Sequence, residues 1–187
     1  MTTFTNNGFP AVLLSRLRQS DFLRRMVRDS TLSVDDLISP IFVCPGKGVR
    51  QPVGTMPGIE RMSIDQLANE AKLVANLNIP AIAVFPVTPS ELNTDDGREA
   101  YNPDGLAQQA IKAVKDAAPQ IGVLADVALD PYTSHGHDGV LGEDGEVLND
   151  DSVEILVQQA LAHARAGVDI VAPSDMMDGR IGAIREA

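Results

Sequence analysis

The sequence IGVLADVALDPYTSHGHDG at residues 121–139 passes from an apolar run into a polar loop. Apolar residues dominate its first nine positions, which predicts a strand over Ile121–Leu129. Side chains alternate between the two faces of a strand, so Asp126, Ala128 and Asp130 are expected to point the same way. A proline follows, which cannot donate to a strand ladder, and the Thr-Ser-His-Gly run after it is typical of a loop. The stretch therefore predicts a polar site at the carboxyl end of a strand.

The side chains of this stretch are suited to acid/base or metal chemistry. Thirteen consecutive positions carry three aspartates and two histidines, namely Asp126, Asp130, His135, His137 and Asp138. Clustered carboxylate oxygens suit Mg²⁺, whereas imidazoles suit zinc. The excess of carboxylates and the absence of cysteine here favour an oxygen-preferring ion, if one is bound. The alternative is a loop whose aspartates and histidines only cap backbone groups.

Strand-like and helix-like segments alternate along residues 32–187. The pattern predicts strands over Leu37–Val43, Ala81–Val87, Ile121–Leu129 and Val168–Ala172, and helices over Ile64–Leu77, Leu106–Ala118, Ser152–Ala166 and from Arg180 onward. Alternation of this kind indicates βαβ units and a parallel sheet. The second strand is nearly all apolar, as expected when both faces of a parallel sheet are buried.

Two further features of these units bear on the fold. No glycine-rich phosphate loop follows the first strand, which disfavours a dinucleotide-binding fold. Polar residues instead gather after the third and fourth strands, at Asp126, Asp130, Ser174 and Asp175. A TIM barrel keeps its active site at this end of its strands. The alternative to a functional role for Ser174 and Asp175 is a structural one, in which they form the N-cap of the next helix.

The N-terminal region differs from the rest in charge. Residues 1–15 show no clear period and are expected to form a mobile arm. Five arginines and four apolar residues then alternate at helical spacing, which predicts a short basic amphipathic helix between Arg16 and Arg28. The predicted division is an arm over residues 1–31 and a domain over 32–187. The basic helix is expected either to pack on its own domain or to dock on a neighbouring subunit by charge complementarity.

Composition excludes several classes of function. The net charge of −11 disfavours nucleic acid as a partner. A single cysteine, Cys44, excludes an internal disulfide and fits a reducing compartment, and its place at the end of an apolar run favours a buried structural thiol. No apolar stretch approaches the roughly 20 residues of a membrane span, and the first residues lack a signal peptide. The expectation is a soluble, cytoplasmic protein without a membrane partner.

Several segments resemble the porphobilinogen synthase family, also called 5-aminolevulinate dehydratase. In the zinc-dependent members, the segment equivalent to 126–139 reads Asp-Val-Cys-Leu-Cys-x-Tyr-Thr-Ser-His-Gly-His-Cys-Gly, and here its three cysteine positions hold Ala128, Asp130 and Asp138. A second specific match is VAPSDMMDGR at 171–180. Supporting matches are MPG at 56–58, FPV at 85–87 and AYNPDG at 100–105. The resemblance extends from about Arg16 to Ala187 and implies the branch that works with Mg²⁺ rather than Zn²⁺.

This resemblance implies a fold and an activity. The fold is a TIM (β/α)₈ barrel, of which the chain matches the first four βα units and the N-terminal arm. The reaction condenses two molecules of 5-aminolevulinate to porphobilinogen with loss of water, on the path to haem and other tetrapyrroles. The arm of the family wraps a partner subunit and underlies a homo-octamer.

The resemblance also implies roles for individual residues. Asp126 is expected to do acid/base or amine-binding work, and Ser174 matches a position beside the lysine-bound substrate. Asp130 and Asp138 are expected to hold Mg²⁺, directly or through water, or to bind the substrate amine. The remaining assignments are as follows: His137 is a metal ligand or proton shuttle, and His135 supports the site without binding directly. Asp175 and Tyr132 contact the substrate, Arg180 packs and His163 is structural.

Neither of the family's two Schiff-base lysines has a counterpart here. Both lie on later strands of the family fold, past residue 187, and none of the lysines present matches them, these being Lys47, Lys72, Lys112 and Lys115. The chain is therefore expected to correspond to the N-terminal half of the enzyme. One alternative is a non-catalytic truncated member that acts only in assembly. Another is a metal-dependent barrel hydrolase, suggested by the His135-x-His137 pair.

Overall fold

A computed structural model describes residues 13–187 of the chain, which divides into two compact units, Met1–Ser33 and Val34–Ala187. The predicted mobile arm falls largely on residues 1–12, outside the described part. Within the first unit, a 3₁₀ helix spans Leu14–Arg18 and helix α1 spans Asp21–Met26. The prediction of one helix from Arg16 to Arg28 is wrong in extent. Ser20 is extended (φ −126°, ψ 158°) and begins α1, as serine favours helix starts over interiors.

The second unit is built on a six-stranded sheet. Its strands are β1 (Ile38–Val43), β2 (Arg50–Pro52), β3 (Glu60–Met62), β4 (Ala81–Pro86), β5 (Gly122–Val127) and β6 (Ile170–Pro173). The order across the sheet is β2-β3-β1-β4-β5-β6. Strands β3, β1, β4, β5 and β6 run parallel, and only the β2–β3 pair is antiparallel. The four predicted strands are confirmed to within three residues at each end, and the α/β class with them.

Four helices lie along the sheet in chain order. They are α2 (Ile64–Asn76), α3 (Leu106–Ala117), α4 (Asn149–Ala166) and α5 (Arg180–Glu186), and each packs on the next. The core lies between these helices and one face of the sheet, where Ile82, Val84 and Val123 meet Leu67 and Ile111. Each fully buried side chain of this size contributes roughly 1.5–3 kcal/mol. The first three were predicted from their apolar period, with α4 beginning three residues earlier than expected, and α5 begins at Arg180 as predicted.

The opposite face of the sheet is less buried than the sequence predicts. In β4 and β5, buried residues alternate with partly exposed ones, so the expectation that both faces of β4 are buried is wrong for the described residues. A small apolar residue such as Ala83 is expected in the core from its composition even where it is only partly buried. This second face carries Phe42, Phe85 and Asp126. None of the helices within residues 13–187 has the length and apolarity needed to cross a membrane.

The β2–β3 hairpin was not predicted, and polar contacts fix it to α2. Ser63 stands at the N-cap of α2, but its hydroxyl faces the hairpin: Oγ accepts the Val49 N–H at 2.9 Å and donates to Asp65 at 2.6 Å. The Asp65 carboxylate also accepts the Gly48 N–H, with both oxygens 3.0 Å from the nitrogen. Arg50 bridges Glu60 at 3.0 Å and Glu70 at 2.7 Å. Hydrogen bonds and ion pairs to carboxylates therefore hold the hairpin against α2.

Candidate functional site

Two predicted catalytic side chains meet at the carboxyl ends of β5 and β6. Asp126 precedes the last residue of β5, on the face away from the helices, and is in register with Ala172 of β6. Ser174 follows directly after β6, and its backbone N–H donates to the Val127 carbonyl at 3.3 Å. Its hydroxyl donates to Asp126 Oδ1 at 2.6 Å. Parallel strands thus bring together residues that are 48 positions apart in the sequence.

Asp126 shares a cavity of about 460 Å³ with Asp130. The strand ends at Val127, so the expected alternation does not continue through Ala128, which is buried. Asp130 nevertheless reaches the same cavity because the chain turns after the strand. The other residues that line it include Phe42, Val53, Met56, Arg61 and Phe85.

Sequence reasoning missed these cavity-lining residues. The Phe42 and Phe85 rings lie 5.6 Å apart between their centroids and form an apolar wall. Their register was available in principle, since Phe42 pairs with both Arg61 and Phe85 across neighbouring strands. The pairing with Arg61 could not be predicted, because β3 is too short to show an alternating pattern. The cavity combines carboxylates, an aromatic wall and one arginine among the described residues that line it.

Burial makes the carboxyl groups of this site harder to ionise. The pKa of Asp126 is raised by burial and further by the charge of Asp130, while the hydrogen bond from Ser174 partly opposes the rise. Burial likewise raises the pKa of Asp130 and of Asp138. The charge of Asp175 adds to the effect on Asp126 and on Asp138. Such raised values shift proton exchange toward neutral pH, and a cationic ligand would offset the cost of ionising these carboxyls.

Asp138 supports the loop rather than pointing freely into the cavity. Its Oδ1 accepts the Leu129 N–H at 2.7 Å, which ties the far end of the loop to the residue just after the strand. Thr133 makes a second tie, since its hydroxyl donates to the His137 carbonyl at 2.7 Å. The loop is therefore closed from both sides, and this brings Asp138 close enough to Asp130 for their charges to interact.

The residues expected to hold a metal do not converge as a ligand set. His137 is exposed, and its backbone N–H donates to His135 Nδ1 at 3.1 Å. The two imidazole centroids lie 6.1 Å apart. Across residues 13–187, no three His, Cys, Asp or Glu side chains are grouped so that they can hold an ion. One carboxylate oxygen of Asp138 faces a backbone donor instead, so Asp130, Asp138 and His137 do not fit a Mg²⁺ site in this arrangement.

Tyr132 and Asp175, both expected at the substrate, are buried. Tyr132 lines a separate cavity of about 380 Å³ beside Glu99 and Asn102, and burial raises the pKa of its hydroxyl. Asp175 is 2% exposed, and Arg180 Nε lies 3.0 Å from its Oδ1. Helix α5 begins only after Gly179, so Ser174 and Asp175 are not its N-cap.

None of the four lysines, all within the described residues, lines the cavity that holds Asp126. Lys72 is on α2 and Lys112 and Lys115 are on α3, while Lys47 lies in the loop after β1. Lys115 forms an ion pair with Asp169 at 2.9 Å. His163 is buried within α4, as expected for a structural residue, and burial lowers its pKa to about 4.

Comparisons with known proteins agree on one family. The family model described as delta-aminolevulinic acid dehydratase matches residues 12–187. The delta-aminolevulinic acid dehydratase of Bradyrhizobium diazoefficiens is 53% identical over 176 residues, covering 94% of this chain and 50% of the relative. The chloroplastic enzyme of Pisum sativum is 44% identical over 170 residues, covering 90% of this chain and 42% of the relative.

A solved structure shows the same similarity in three dimensions. It is delta-aminolevulinic acid dehydratase (porphobilinogen synthase) from Toxoplasma gondii ME49, in complex with the reaction product porphobilinogen. The TM-score is 0.89 at 44% identity, with 94% of this chain and 50% of that chain covered. The chain spans about half the length of the curated relatives that it matches.

Proposed function

Because the chain belongs to the delta-aminolevulinic acid dehydratase family, we propose that it serves porphobilinogen synthesis, the condensation of two 5-aminolevulinate molecules with loss of water. The observation that carries this proposal is the Ser174–Asp126 hydrogen bond at the mouth of a carboxylate-lined cavity, in a chain that matches the family over residues 12–187. The chain would supply the proton-handling and amine-binding side of the site. The (β/α)₈ barrel of the family is the fold in which these strands would take part.

The cavity suits a substrate with a protonated amine. Asp126 and Asp130 place two carboxylates on one cavity, with burial opposing their ionisation. An ammonium group relieves that penalty, because an opposite charge nearby favours the ionised carboxylate. We assign Asp130 to binding the substrate amine. Asp138 would support it indirectly, by holding the loop on which Asp130 lies. The Phe42 and Phe85 rings give the same cavity an apolar wall.

Asp126 is assigned the proton transfers of carbon–carbon and carbon–nitrogen bond formation. Its raised pKa shifts the uptake and release of a proton toward neutral pH. Ser174 fixes one carboxylate oxygen by its hydrogen bond at 2.6 Å and leaves the other oxygen for the substrate. Carbonyl activation would come from Schiff-base lysines on the later strands of the family fold.

Three finer assignments remain predictions, the first two from the resemblance and the third from composition. These are Mg²⁺ at Asp130, Asp138 and His137, a homo-octamer built through the N-terminal arm, and a cytoplasmic location. No step above passes through a metal, because the candidate ligands do not converge. The hydrolase alternative gains no support from the described residues, for the same reason.

The test uses a chimera in which residues 12–187 replace the corresponding half of the Bradyrhizobium diazoefficiens relative. Porphobilinogen formation from 5-aminolevulinate would be compared between the chimera and the parent enzyme. We expect the chimera to make porphobilinogen. A chimera that folds and assembles like the parent but makes none would contradict the proposed function.

Borohydride trapping examines the lysine assignment in the 187-residue chain itself. After incubation with 5-aminolevulinate and reduction, intact mass spectrometry should show no covalent adduct. The chimera, which includes the later strands of the relative, should show one. An adduct on Lys47, Lys72, Lys112 or Lys115 would refute the assignment of the Schiff base to later strands. It would also argue against a chain that acts only in assembly.

A further inference from the structure

The segment between β6 and α5 is closed by one arginine. Arg180 Nε lies 3.0 Å from Asp175 Oδ1, and its two terminal nitrogens donate to the carbonyls of Met177 at 3.0 Å and Asp175 at 2.6 Å. Asp175 Oδ1 also accepts the Met177 N–H at 2.8 Å. A single guanidinium therefore binds one carboxylate and two carbonyls of a segment six residues long. The rigid, planar donor set of arginine suits this arrangement, whereas the point charge of lysine does not.

This closed segment carries Ser174 at its start. The Ser174 backbone is tied to Val127 at 3.3 Å, and its hydroxyl must stay within hydrogen-bond distance of Asp126. A serine hydroxyl turns with its backbone, so its direction depends on how residue 175 is held. Asp175 is 2% exposed and is held by Arg180. The contacts run without a gap from Arg180 through Asp175 and Ser174 to Asp126.

We infer that Arg180, acting through Asp175, is a positioning residue that holds the Ser174 hydroxyl against Asp126. The catalytic consequence of this inference rests on the proposed function, but the contact itself does not. The expectation from sequence that Arg180 packs is thereby extended, because packing alone gives no reason for two hydrogen bonds and one ion pair to the same segment. Without Arg180, Asp175 would be a buried carboxylate that lacks an ion-pair partner among residues 13–187, and the segment would have to rearrange.

The competing explanation is that Arg180 only stabilises the fold. Stability measurements do not separate the two, since loss of a buried ion pair destabilises in either case. The protonation of Asp126 does separate them, because the Ser174 hydrogen bond favours its ionised form. Carboxyl-carbon NMR of aspartates, followed against pH in the full chain with EDTA present, reports that protonation residue by residue.

The variants are Ser174→Ala, Arg180→Lys, Arg180→Gln and the double variant Ser174→Ala with Arg180→Gln. Loss of the serine hydroxyl should raise the pKa of Asp126. Arg180→Lys keeps the positive charge but cannot bind both carbonyls, so it should raise that pKa in the same direction without removing the cation. Arg180→Gln should raise it as well. In the double variant, the rise should equal that of Ser174→Ala alone, since the hydrogen bond can be lost only once.

Two matched controls should titrate as the unmodified chain does. Asn149→Ala releases the other side of the same segment, where Asn149 Oδ1 accepts the Asp178 N–H at 2.8 Å. Arg185→Gln removes an equal charge from an exposed position on α5. Both leave the Arg180–Asp175 contacts in place.

The inference is wrong if Arg180→Lys, folded, leaves the Asp126 titration unchanged, or if Arg180→Gln adds its full effect to that of Ser174→Ala. Additivity would mean that the arginine charge acts on Asp126 directly. Porphobilinogen formation by the chimera reports on the function separately. A coupled titration with no porphobilinogen would reject the proposed function and keep the positioning role.

Discussion

Two groups of acidic side chains in this protein have opposite surroundings. Asp65, beside the β2–β3 hairpin, accepts hydrogen bonds from the Ser63 hydroxyl and the Gly48 N–H, and these contacts lower its pKa to about 2. The carboxyls at the end of β5 experience the reverse. Burial raises the pKa of Asp126, Asp130 and Asp138, and their mutual charges raise it further for Asp126 and Asp138.

The difference lies in what the fold supplies to each carboxylate. At the hairpin, hydrogen-bond donors contact Asp65, and Arg50 forms ion pairs with two glutamates. Ionisation of these carboxyl groups therefore stabilises the folded chain. At the end of β5, the donors are the Ser174 hydroxyl and backbone N–H groups, and the charges that shift the pKa of Asp126 and Asp138 are those of other acids. The second arrangement is unfavourable for stability at neutral pH and suits a site that a cationic group completes. The first arrangement is structural.

The largest expected effect comes from neutralising Asp126 in the chimera. Asp126→Asn should lower kcat for porphobilinogen formation about 100- to 10,000-fold, the range lost when a positioned acid or base is removed. Asp65→Asn, which changes the same functional group at the hairpin, should leave kcat within about twofold. Steady-state kinetics with 5-aminolevulinate measure both. An Asp126→Asn chimera with parental kcat would show that Asp126 has no catalytic role.

A buried histidine should show the next largest effect. His163 is 1% exposed, both its ring nitrogens lack a hydrogen-bond partner within residues 13–187, and burial lowers its pKa to about 4. Its neutral form is therefore favoured in the folded chain. The associated stability is fully present above the unfolded pKa of about 6.5 and is lost as pH falls toward 4.

Urea unfolding of the chain at pH 7 and pH 5 measures this loss. The free energy of unfolding should fall by about 2 kcal/mol because of His163, since each pH unit below 6.5 is worth about 1.4 kcal/mol. His163→Leu should lack this component. His137→Gln, at an exposed position, should retain it. Equal pH dependence in the unmodified chain and in His163→Leu would show that His163 does not titrate as its burial requires.

The smallest effects sharpen the comparison most directly, because they should differ in sign. At pH 7, Asp138→Asn should raise the melting temperature, since the folded chain disfavours the charge at that position, and the amide oxygen can still accept the Leu129 N–H. Asp65→Asn should lower it. The Asp138 difference should vanish below about pH 4, where the carboxyl is protonated in both states.

The Asp65 difference should vanish over a lower range, as pH falls from about 4 through 2. Thermal unfolding followed by circular dichroism across this range measures both variants. Shifts of the same sign at pH 7 would mean that the two groups of acids do not differ in the way their contacts indicate.

The elements that could be predicted from the sequence are those with a clear period. Strands β1, β4, β5 and β6 and helices α2 and α3 end within about three residues of their predicted limits, because buried positions recur along them. Strands β2 and β3 were missed because each has three residues and no alternation. Ser63 occupies the N-cap position of α2, although its hydroxyl binds the hairpin instead of capping the helix.

Within the site, residue types were easier to predict than contacts. The pairing of Asp126 with Ser174 follows from adjacent parallel strands, and the sequence pattern indicates both positions. The burial of Asp175 could not be predicted, because an aspartate in a loop is usually solvated and only Arg180 makes its burial tolerable. The closure of the loop by Asp138 depends on a backbone donor at Leu129, which no residue type reveals.

The most direct test of the account is the carboxyl-carbon NMR titration of Asp126 and Asp65 in the unmodified chain. Both are aspartates of one polypeptide, so solution conditions affect them alike. We predict that Asp126 titrates above the ordinary value of 3.8 and Asp65 near 2. Addition of 5-aminolevulinate to the chimera should then lower the Asp126 value and leave Asp65 unchanged. An Asp126 that titrates at or below 3.8 without substrate would contradict the claim that burial prepares this carboxyl for proton transfer.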